Sequence, residues 1–204
     1  MTIYFNTYHP LCSTPRGINA IDRIGYDRFV DYSIRREPDF EHDYPSITSI
    51  CRGKGFAPKL KEGDLVIYCT VQGKYLGFDE DHWCLVAVLE IIKKTDSHQQ
   101  AADWYIFNGY GLPRNCIVPG NDPLPDSHAA KACNDNKYNE RVTQNPCFLI
   151  CKKRHVNIKI PCALFQKDLK TILGKVPTTR ASAVPITEDQ MSQLLSRCKI
   201  TLGE

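Results

Sequence analysis

Apolar and polar positions along the chain predict strands at several places. The first eight residues alternate loosely and are rich in Ile, Tyr, Phe and Thr, which favours an opening strand. Leu65–Thr70 is a run of β-forming residues directly after a Gly-Asp turn signal. His82–Lys93 is a longer apolar run that is typical of a buried strand, and Pro146–Lys152 and Val156–Ile160 predict two more. Strands therefore recur along the whole chain.

Helical spacing and capping residues predict three short helices among these strands. Ser97–Asn108 has apolar residues at helical spacing behind a serine N-cap candidate. Cys162–Leu173 is amphipathic and is followed by Gly174, and Thr187–Arg197 begins with a threonine that can cap it. The combination predicts an α+β fold, in which a curved, largely antiparallel sheet or a small β-barrel carries short flanking helices.

Two proline-containing stretches interrupt the regular patterns. Arg35–Pro45 is dense in charge and contains two prolines, so it predicts an ordered loop rather than a helix. Leu112–Pro125 contains four prolines and predicts a long, stiff loop. We therefore predict a domain boundary near residue 126. It separates a core domain at 1–125 from a C-terminal extension at 126–204 that packs on the core.

Composition and charge exclude some classes of protein. The chain has 204 residues, of which 42% are hydrophobic and 24% are charged, as in ordinary globular proteins. A net charge of +3 permits nucleic-acid binding without demanding it. No apolar run approaches the roughly 20 residues that span a bilayer, and the N-terminus lacks the basic and apolar regions of a signal peptide. We therefore expect a cytoplasmic protein with no membrane partner.

Ten cysteines are a high count, and without an export signal we expect reduced thiols rather than a disulfide framework. No CxxC pair is present, and structural zinc sites usually show two such pairs. The nearest metal-type grouping is Cys147 and Cys151 with His155. Several cysteines lie inside apolar runs, where a thiol behaves as a small hydrophobic group. We predict buried thiols, and no metal or cofactor.

A basic, glycine-containing stretch precedes the strand at Leu65–Thr70. Arg52, Lys54, Lys59 and Lys61 lie within ten residues and are interleaved with glycines. Glycines let the backbone approach a ligand closely, and backbone N–H groups beside arginine can hold phosphate. The stretch matches neither a Walker A loop nor a dinucleotide-binding turn. It could bind an anion or nucleic acid, or it could be a solvated loop.

Two aromatic residues and one amide are further candidates. Tyr68 and Trp83 lie at the predicted strands, and aromatic rings near basic side chains are what base stacking requires. Filling of the hydrophobic core is the alternative role for both rings. Asn115 lies in the stiff loop, where its amide could read a base edge or hydrogen-bond its own turn.

An enzymatic site is a separate possibility that we leave open. His42 lies among carboxylates, His82 follows an acidic turn, and Cys51 is next to Arg52, which could lower the pKa of a thiol. Acidic turns are also simply solvated. No serine-hydrolase or metalloprotease motif is present. A third possibility is a structural protein-interaction domain, in which residues 126–204 bind a partner or form a homodimer.

The stretch SITSICRGKGFAPKLKEGDLVIYCT, followed by WCLVAVLEI, resembles the core pattern of small PUA-like proteins. The resemblance is to the nucleotide modification associated domain (type 2) family in particular. In that family a basic stretch leads into a Gly-Asp turn and a strand, and a second apolar strand follows. PUA-like modules of the EVE, ASCH and YTH types share the arrangement more distantly. The similarity covers roughly residues 48–93.

The resemblance implies a PUA-like fold that recognises nucleic acid or a modified nucleotide, with an association with DNA modification or phage-related defence. In EVE-like and YTH-like relatives a flipped base lies in an aromatic-lined pocket beside the barrel. For this chain the resemblance implies that Tyr68 and Trp83 stack on a base in one pocket and that Asn115 contacts its edge. The expected nucleic-acid-binding residues are Thr48, Cys51, Arg52, Lys54, Tyr68, Trp83 and Asn115.

Overall fold

The computed structural model describes residues 1–50, 55–132, 134–177 and 184–203, which fold into strands and helices in mixed order. Thr14 caps the first helix and Gly25, in the left-handed conformation, ends it. Thr187 and Gln190 form a capping box at the start of the last helix. The elements are β1 (Ile3–Tyr8), α1 (Pro15–Ile24), β2 (Ser46–Thr48), β3 (Leu65–Thr70), β4 (His82–Thr95), α2 (His98–Phe107), α3 (Asp135–Gln144), β5 (Phe148–Val156), β6 (Cys162–Phe165), α4 (Gln166–Leu173), β7 (Val184–Ile186) and α5 (Glu188–Arg197).

The seven strands of the described residues form one open, mixed sheet in the order β2-β5-β4-β3-β1-β7, with β6 beside the first part of β4. The α+β class is therefore confirmed. The sheet is not wholly antiparallel, because β1 and β3 pair in parallel. Parallel pairing needs a long crossover, and the chain between these strands, which contains α1 and β2, provides one.

Strands from both predicted domains, 1–125 and 126–204, share this sheet. β5 lies between β2 and β4, β6 pairs with β4, and β7 pairs with β1. Residues beyond position 126 thus complete the sheet that the earlier strands begin.

Three details differ from the sequence-based expectation. A single strand, β5, ends at Val156, so the separate strand predicted at Val156–Ile160 is wrong. The start of the predicted Cys162–Leu173 helix is strand β6, because Cys162–Phe165 pairs with the exposed edge of β4. The helix α3 was not predicted, because only one of its residues, Tyr138, is buried, and its apolar pattern is correspondingly weak.

Two hydrophobic clusters cover the two faces of the sheet. Along β3, Val66 and Tyr68 belong to the first cluster, whereas Leu65 and Ile67 belong to the second. This alternation is the period-two pattern of a strand that is buried on both faces. Helices α4 and α5 pack on the second cluster, where they contribute Leu169 and Leu194. The first cluster lies on the other face, the face of the cavity described below.

Cys162 and Cys198 form a disulfide that joins β6 to the end of α5. The expectation of reduced thiols is wrong for these two cysteines. Packing of α5 brings their Cα atoms to 5.5 Å, which is a distance that a disulfide can span. The other described cysteines are free and buried or half-buried, and burial raises the pKa of the Cys151 thiol well above its usual range. As to membranes, the helices within the described ranges are all too short or too polar to cross one.

Candidate functional site

A cavity of about 440 Å³ opens beside the end of β1. Residues from three strands line it: Asn6, Thr7 and Tyr8 of β1, Thr48 of β2 and Tyr68 of β3. Asn6 and Tyr68 face each other across the parallel pair. The remaining lining residues come from loops and from α3; they are His9, Asp31, Tyr32, Glu37, Phe56, Lys131, Tyr138 and Arg141.

Asp31 organises the loop that forms one wall of this cavity. Its Oδ1 accepts hydrogen bonds from the Ser33 backbone N–H at 2.9 Å, the Ser33 hydroxyl at 2.6 Å and the Glu37 backbone N–H at 3.0 Å. Within the described part of the chain no group donates to its second oxygen, Oδ2. The residue is only 3% exposed and lines the cavity. Oδ1 therefore shapes the loop around the carboxylate.

Glu37 is the second buried carboxylate of the cavity. Its Oε1 accepts from the Thr48 backbone N–H at 2.8 Å, and its Oε2 accepts from the Thr48 hydroxyl at 2.8 Å and from Asn115 Nδ2 at 2.6 Å. Asn115 also donates to the Ser46 carbonyl at 3.1 Å and accepts from the Ser46 hydroxyl. Residues of β2 and of the proline-rich loop thus hold Glu37 in one orientation.

Burial disfavours the charged form of both carboxylates. It raises the pKa of Glu37 to about 7, although the hydrogen bonds from Thr48 and Asn115 oppose the change. Burial also raises the pKa of Asp31, against the hydrogen bonds from Ser33 and Glu37 and the nearby charge of Arg36. Both carboxyl groups therefore lose their charge at a higher pH than they would in water.

The raised pKa of Glu37 predicts a pH dependence of stability. Since an unfolded glutamate titrates near pH 4.5, the folded protein binds the extra proton between about pH 4.5 and 7, and stability falls as the pH rises through that window. The full change is about 3 kcal/mol. We expect urea unfolding from pH 5 to 8 to show the wild type losing stability relative to Glu37→Gln. A difference that stays constant with pH would contradict this assignment. The contributions of other titrating groups, such as His98, to the free energy of unfolding are shared by the two proteins and cancel in the difference.

Aromatic side chains form the apolar part of the cavity. The ring of Tyr8 meets that of Tyr68 edge to face, at a centroid distance of 6.3 Å, and both rings contact Phe40 beneath them. On the solvent side His9 stacks on Tyr32 with centroids 4.9 Å apart. The Lys131 ammonium lies 4.9 Å from the centre of the Tyr32 ring. Flat apolar surfaces therefore lie both inside the cavity and at its entrance.

The entrance of the cavity continues into a positively charged surface. Lys131, Lys137 and Arg141 are exposed there, and we call these three residues the basic rim. They line an adjoining open cavity of about 500 Å³ that shares Lys131, Tyr138 and Arg141 with the first one. Arg141 also donates to the Ile50 carbonyl at 2.7 Å. The rim is thus attached to the end of β2 as well as to α3.

The structure brings some of the sequence-predicted residues together. Thr48 and Tyr68 line the cavity, and Asn115 lies behind Glu37, which it orients instead of facing a ligand. Asp64, part of the family-like segment, accepts from the backbone N–H groups of Thr2 and Lys61 and so fixes the turn before β3. Cys51, Arg52 and Lys54, which were also expected at the site, lie outside the described residues.

The expected pocket shared by Tyr68 and Trp83 is not formed. Trp83 is 1% exposed and packs with Ile67 and Leu85 in the second hydrophobic cluster. Tyr68 belongs to the first cluster, on the other face of the sheet. Because neighbouring residues of a strand point to opposite faces, a ring that packs with Ile67 cannot share a pocket with Tyr68. Trp83 is therefore a core residue and not part of the candidate site.

The histidines considered for catalysis lie away from this cavity. His42 has its Nδ1 2.9 Å from the Tyr44 carbonyl oxygen and its Nε2 2.8 Å from that of Gly111. His82 is fully buried, with its Nδ1 2.9 Å from the Glu80 carbonyl oxygen. Among the described residues no three His, Cys, Asp or Glu side chains converge on a point where they could hold a metal ion.

Sequence reasoning missed Asp31, Glu37 and Asn6. Asn6 is 3% exposed; its Oδ1 accepts from the Thr7 backbone N–H, and its Nδ2 donates to no acceptor in the described ranges. A polar residue inside an otherwise apolar β1 was the available signal for Asn6. For the carboxylates, the signal was a charge-dense stretch between the buried apolar residues Val30 and Phe40.

Comparison with models of known protein families gave no match to this chain, and comparison with curated proteins gave none either.

Proposed function

We propose that this chain is a nucleic-acid or modified-nucleotide binding module of the PUA-like type, in which the cavity receives a single base. The observation that carries the proposal is the continuity of an aromatic-lined cavity with the basic rim. A ligand with an aromatic end and an anionic end matches this surface, and a nucleotide has both. The resemblance of residues 48–93 to the nucleotide modification associated domain family supports the same class of ligand and an association with modified bases.

The dimensions and chemistry of the cavity agree with this proposal. A volume of about 440 Å³ is within the range of ordinary small-molecule sites and is ample for one base. Stacking of a base on an aromatic side chain contributes about 1–3 kcal/mol. The inner wall offers an acceptor at Asp31 and a donor at Asn6, which can contact the polar edge of a base. A base in a duplex would have to leave the stack to enter.

The basic rim predicts salt-sensitive binding. Contacts between cations and phosphates release counterions, so affinity for an oligonucleotide should fall steeply between about 50 and about 200 mM salt. Lys137→Ala should weaken binding by about threefold to tenfold and lower the salt slope by about 1. Fluorescence anisotropy with labelled single-stranded and duplex oligonucleotides measures both quantities.

Lys170→Ala is the matched control, because Lys170 is exposed on α4, which packs on the opposite face of the sheet. It should bind like the wild type. Failure of the wild type to bind any oligonucleotide at low salt would overturn the proposed function. Equal losses in Lys137→Ala and Lys170→Ala would show that net charge, and not the basic rim, drives binding.

A further inference from the structure

We propose that the base admitted to the cavity is cationic, protonated or alkylated at a ring nitrogen, and that Asp31 selects it. This inference rests on the proposed function, since it names the kind of base that the same cavity takes.

The geometry of Asp31 favours a cationic ligand. Its Oδ1 already accepts three hydrogen bonds from Ser33 and Glu37, whereas its Oδ2 meets the cavity without a donor from the described residues. Burying a carboxylate is costly unless it is paired. Among the described residues Oδ2 has no such partner, and a ligand that brings a positive charge would supply one.

Glu37, when ionised, adds negative charge beside the cavity without offering a free acceptor. Both of its oxygens are occupied by Thr48 and Asn115. A neutral base would therefore find one open carboxylate oxygen and a second carboxylate behind it. A cationic base interacts favourably with both charges.

The groups around the two carboxylates leave room for a ligand cation. The charge of Arg36 lowers the pKa of Asp31, but its NH1 donates to the carbonyl oxygens of Asp31 and Ser33 and it does not line the cavity. Tyr8 and Cys151 face the carboxylates as titratable groups whose pKa values burial raises, so both stay neutral. Burial raises the pKa of Asp31 more than the charge of Arg36 lowers it, and it also raises the pKa of Glu37. The other charged or titratable lining residues are His9, Tyr32, Tyr68, Lys131, Tyr138 and Arg141.

The aromatic lining of the cavity also favours a cation. Tyr8, Phe56 and Tyr68 present rings to the same cavity as the carboxylates. The faces of aromatic rings attract cations, more strongly where water is excluded. An aromatic cavity with carboxylates could also hold a methylated ammonium group of a lysine side chain. The basic rim favours a nucleic acid instead, because it attracts phosphate and repels a lysine-rich peptide.

Isomeric bases test the proposal directly. A backbone of roughly nine sugar–phosphate units carries one base at its centre, so that only this base can enter the cavity. 1-Methyladenine, which is cationic, is compared with its neutral isomer N6-methyladenine, and 3-methylcytosine with 5-methylcytosine. We expect the wild type to bind each cationic isomer at least about tenfold more tightly. Asp31→Asn should reduce this ratio to about threefold or less, while Lys170→Ala keeps it.

Proton release gives a second readout on the wild type alone, so the test does not depend on the folding of Asp31→Asn. A bound cation stabilises the charged carboxylates, so binding near pH 7 should release protons with the cationic isomer and not with the neutral one. Calorimetry in buffers of different ionisation enthalpy measures the release.

The failures are distinguishable. If no oligonucleotide binds, the proposed function falls and this inference falls with it. If oligonucleotides bind but the isomers bind equally, the proposed function stands and the choice of a cationic base is overturned. Tighter binding of a trimethyl-lysine peptide than of any oligonucleotide would overturn the nucleobase as the ligand.

Discussion

Replacement of Arg35 with alanine is expected to lower the free energy of unfolding by about 3 kcal/mol, because it breaks a mostly buried ion pair and leaves its partners without donors. Arg35 is 3% exposed, and its Nε and NH2 donate to the two Asp135 oxygens at 2.8 and 2.6 Å. Its NH1 donates to the Asn121 carbonyl oxygen at 2.7 Å. Asp135 is the first residue of α3, so the pair fixes the helix that carries Tyr138 and Arg141. Urea unfolding measures the loss, and oligonucleotide affinity should fall with it.

A double-mutant cycle separates this pair from general effects of losing an arginine. The variants are Arg35→Ala, Asp135→Ala and the double variant, with the exposed Arg28→Ala as the control. The double variant should be little less stable than Arg35→Ala alone, because the interaction is already lost. Arg28→Ala should stay within about 0.5 kcal/mol of the wild type. Strictly additive losses in the cycle would contradict a direct role for the pair.

Asn115→Leu is expected to destabilise the protein by a comparable amount, about 3 kcal/mol, because it leaves buried polar groups unsatisfied. Asn115 is fully buried and donates to Glu37 Oε2 and the Ser46 carbonyl, and the Ser46 hydroxyl donates to it. Loss of one donor also favours the protonated form of Glu37. We therefore expect the pH window over which Glu37 lowers stability to extend to a higher pH in this variant, because its upper end is set by the pKa of Glu37 in the folded protein.

Asn136→Leu is the matched control, since Asn136 is exposed on α3. Its effect on unfolding should be within about 0.5 kcal/mol. An equal effect of the two substitutions would mean that Asn115 does not hold the Glu37 network. An unchanged pH profile in Asn115→Leu would separate Asn115 from Glu37 even if the stability changed.

Local signals in the sequence were sufficient for several elements. Strand β3 follows from its β-forming residues after the Gly-Asp turn, and β4 follows from its apolar run. Helix α5 follows from the threonine that caps its first turn. These features act within a few residues, so they can be recognised without knowing the fold.

The remaining features depend on contacts between distant segments. Cys162–Phe165 forms a strand only because the edge of β4 is available to pair with it. The strand register decides that Tyr68 lines the cavity and that Trp83 does not. The pairing of β3 with β4 also shifts between Tyr68 and Cys69, so simple alternation along the sequence does not predict which residues of the two strands share a face. Asp31 lies in a segment that would ordinarily be solvated, and its burial depends on the loop wrapping around its carboxylate.

The central claim is that the cavity at the end of β1 receives a base, and chemical-shift mapping tests it most directly. The ¹⁵N-labelled protein is titrated at low salt with an oligonucleotide that carries a single base and with the same backbone lacking any base. The backbone amides of Thr7, Glu37 and Thr48 should shift with the first oligonucleotide and not with the second, whereas the amide of Lys137 should shift with both. Equal shifts with both oligonucleotides, or no shift of the cavity amides at saturation, would contradict the claim.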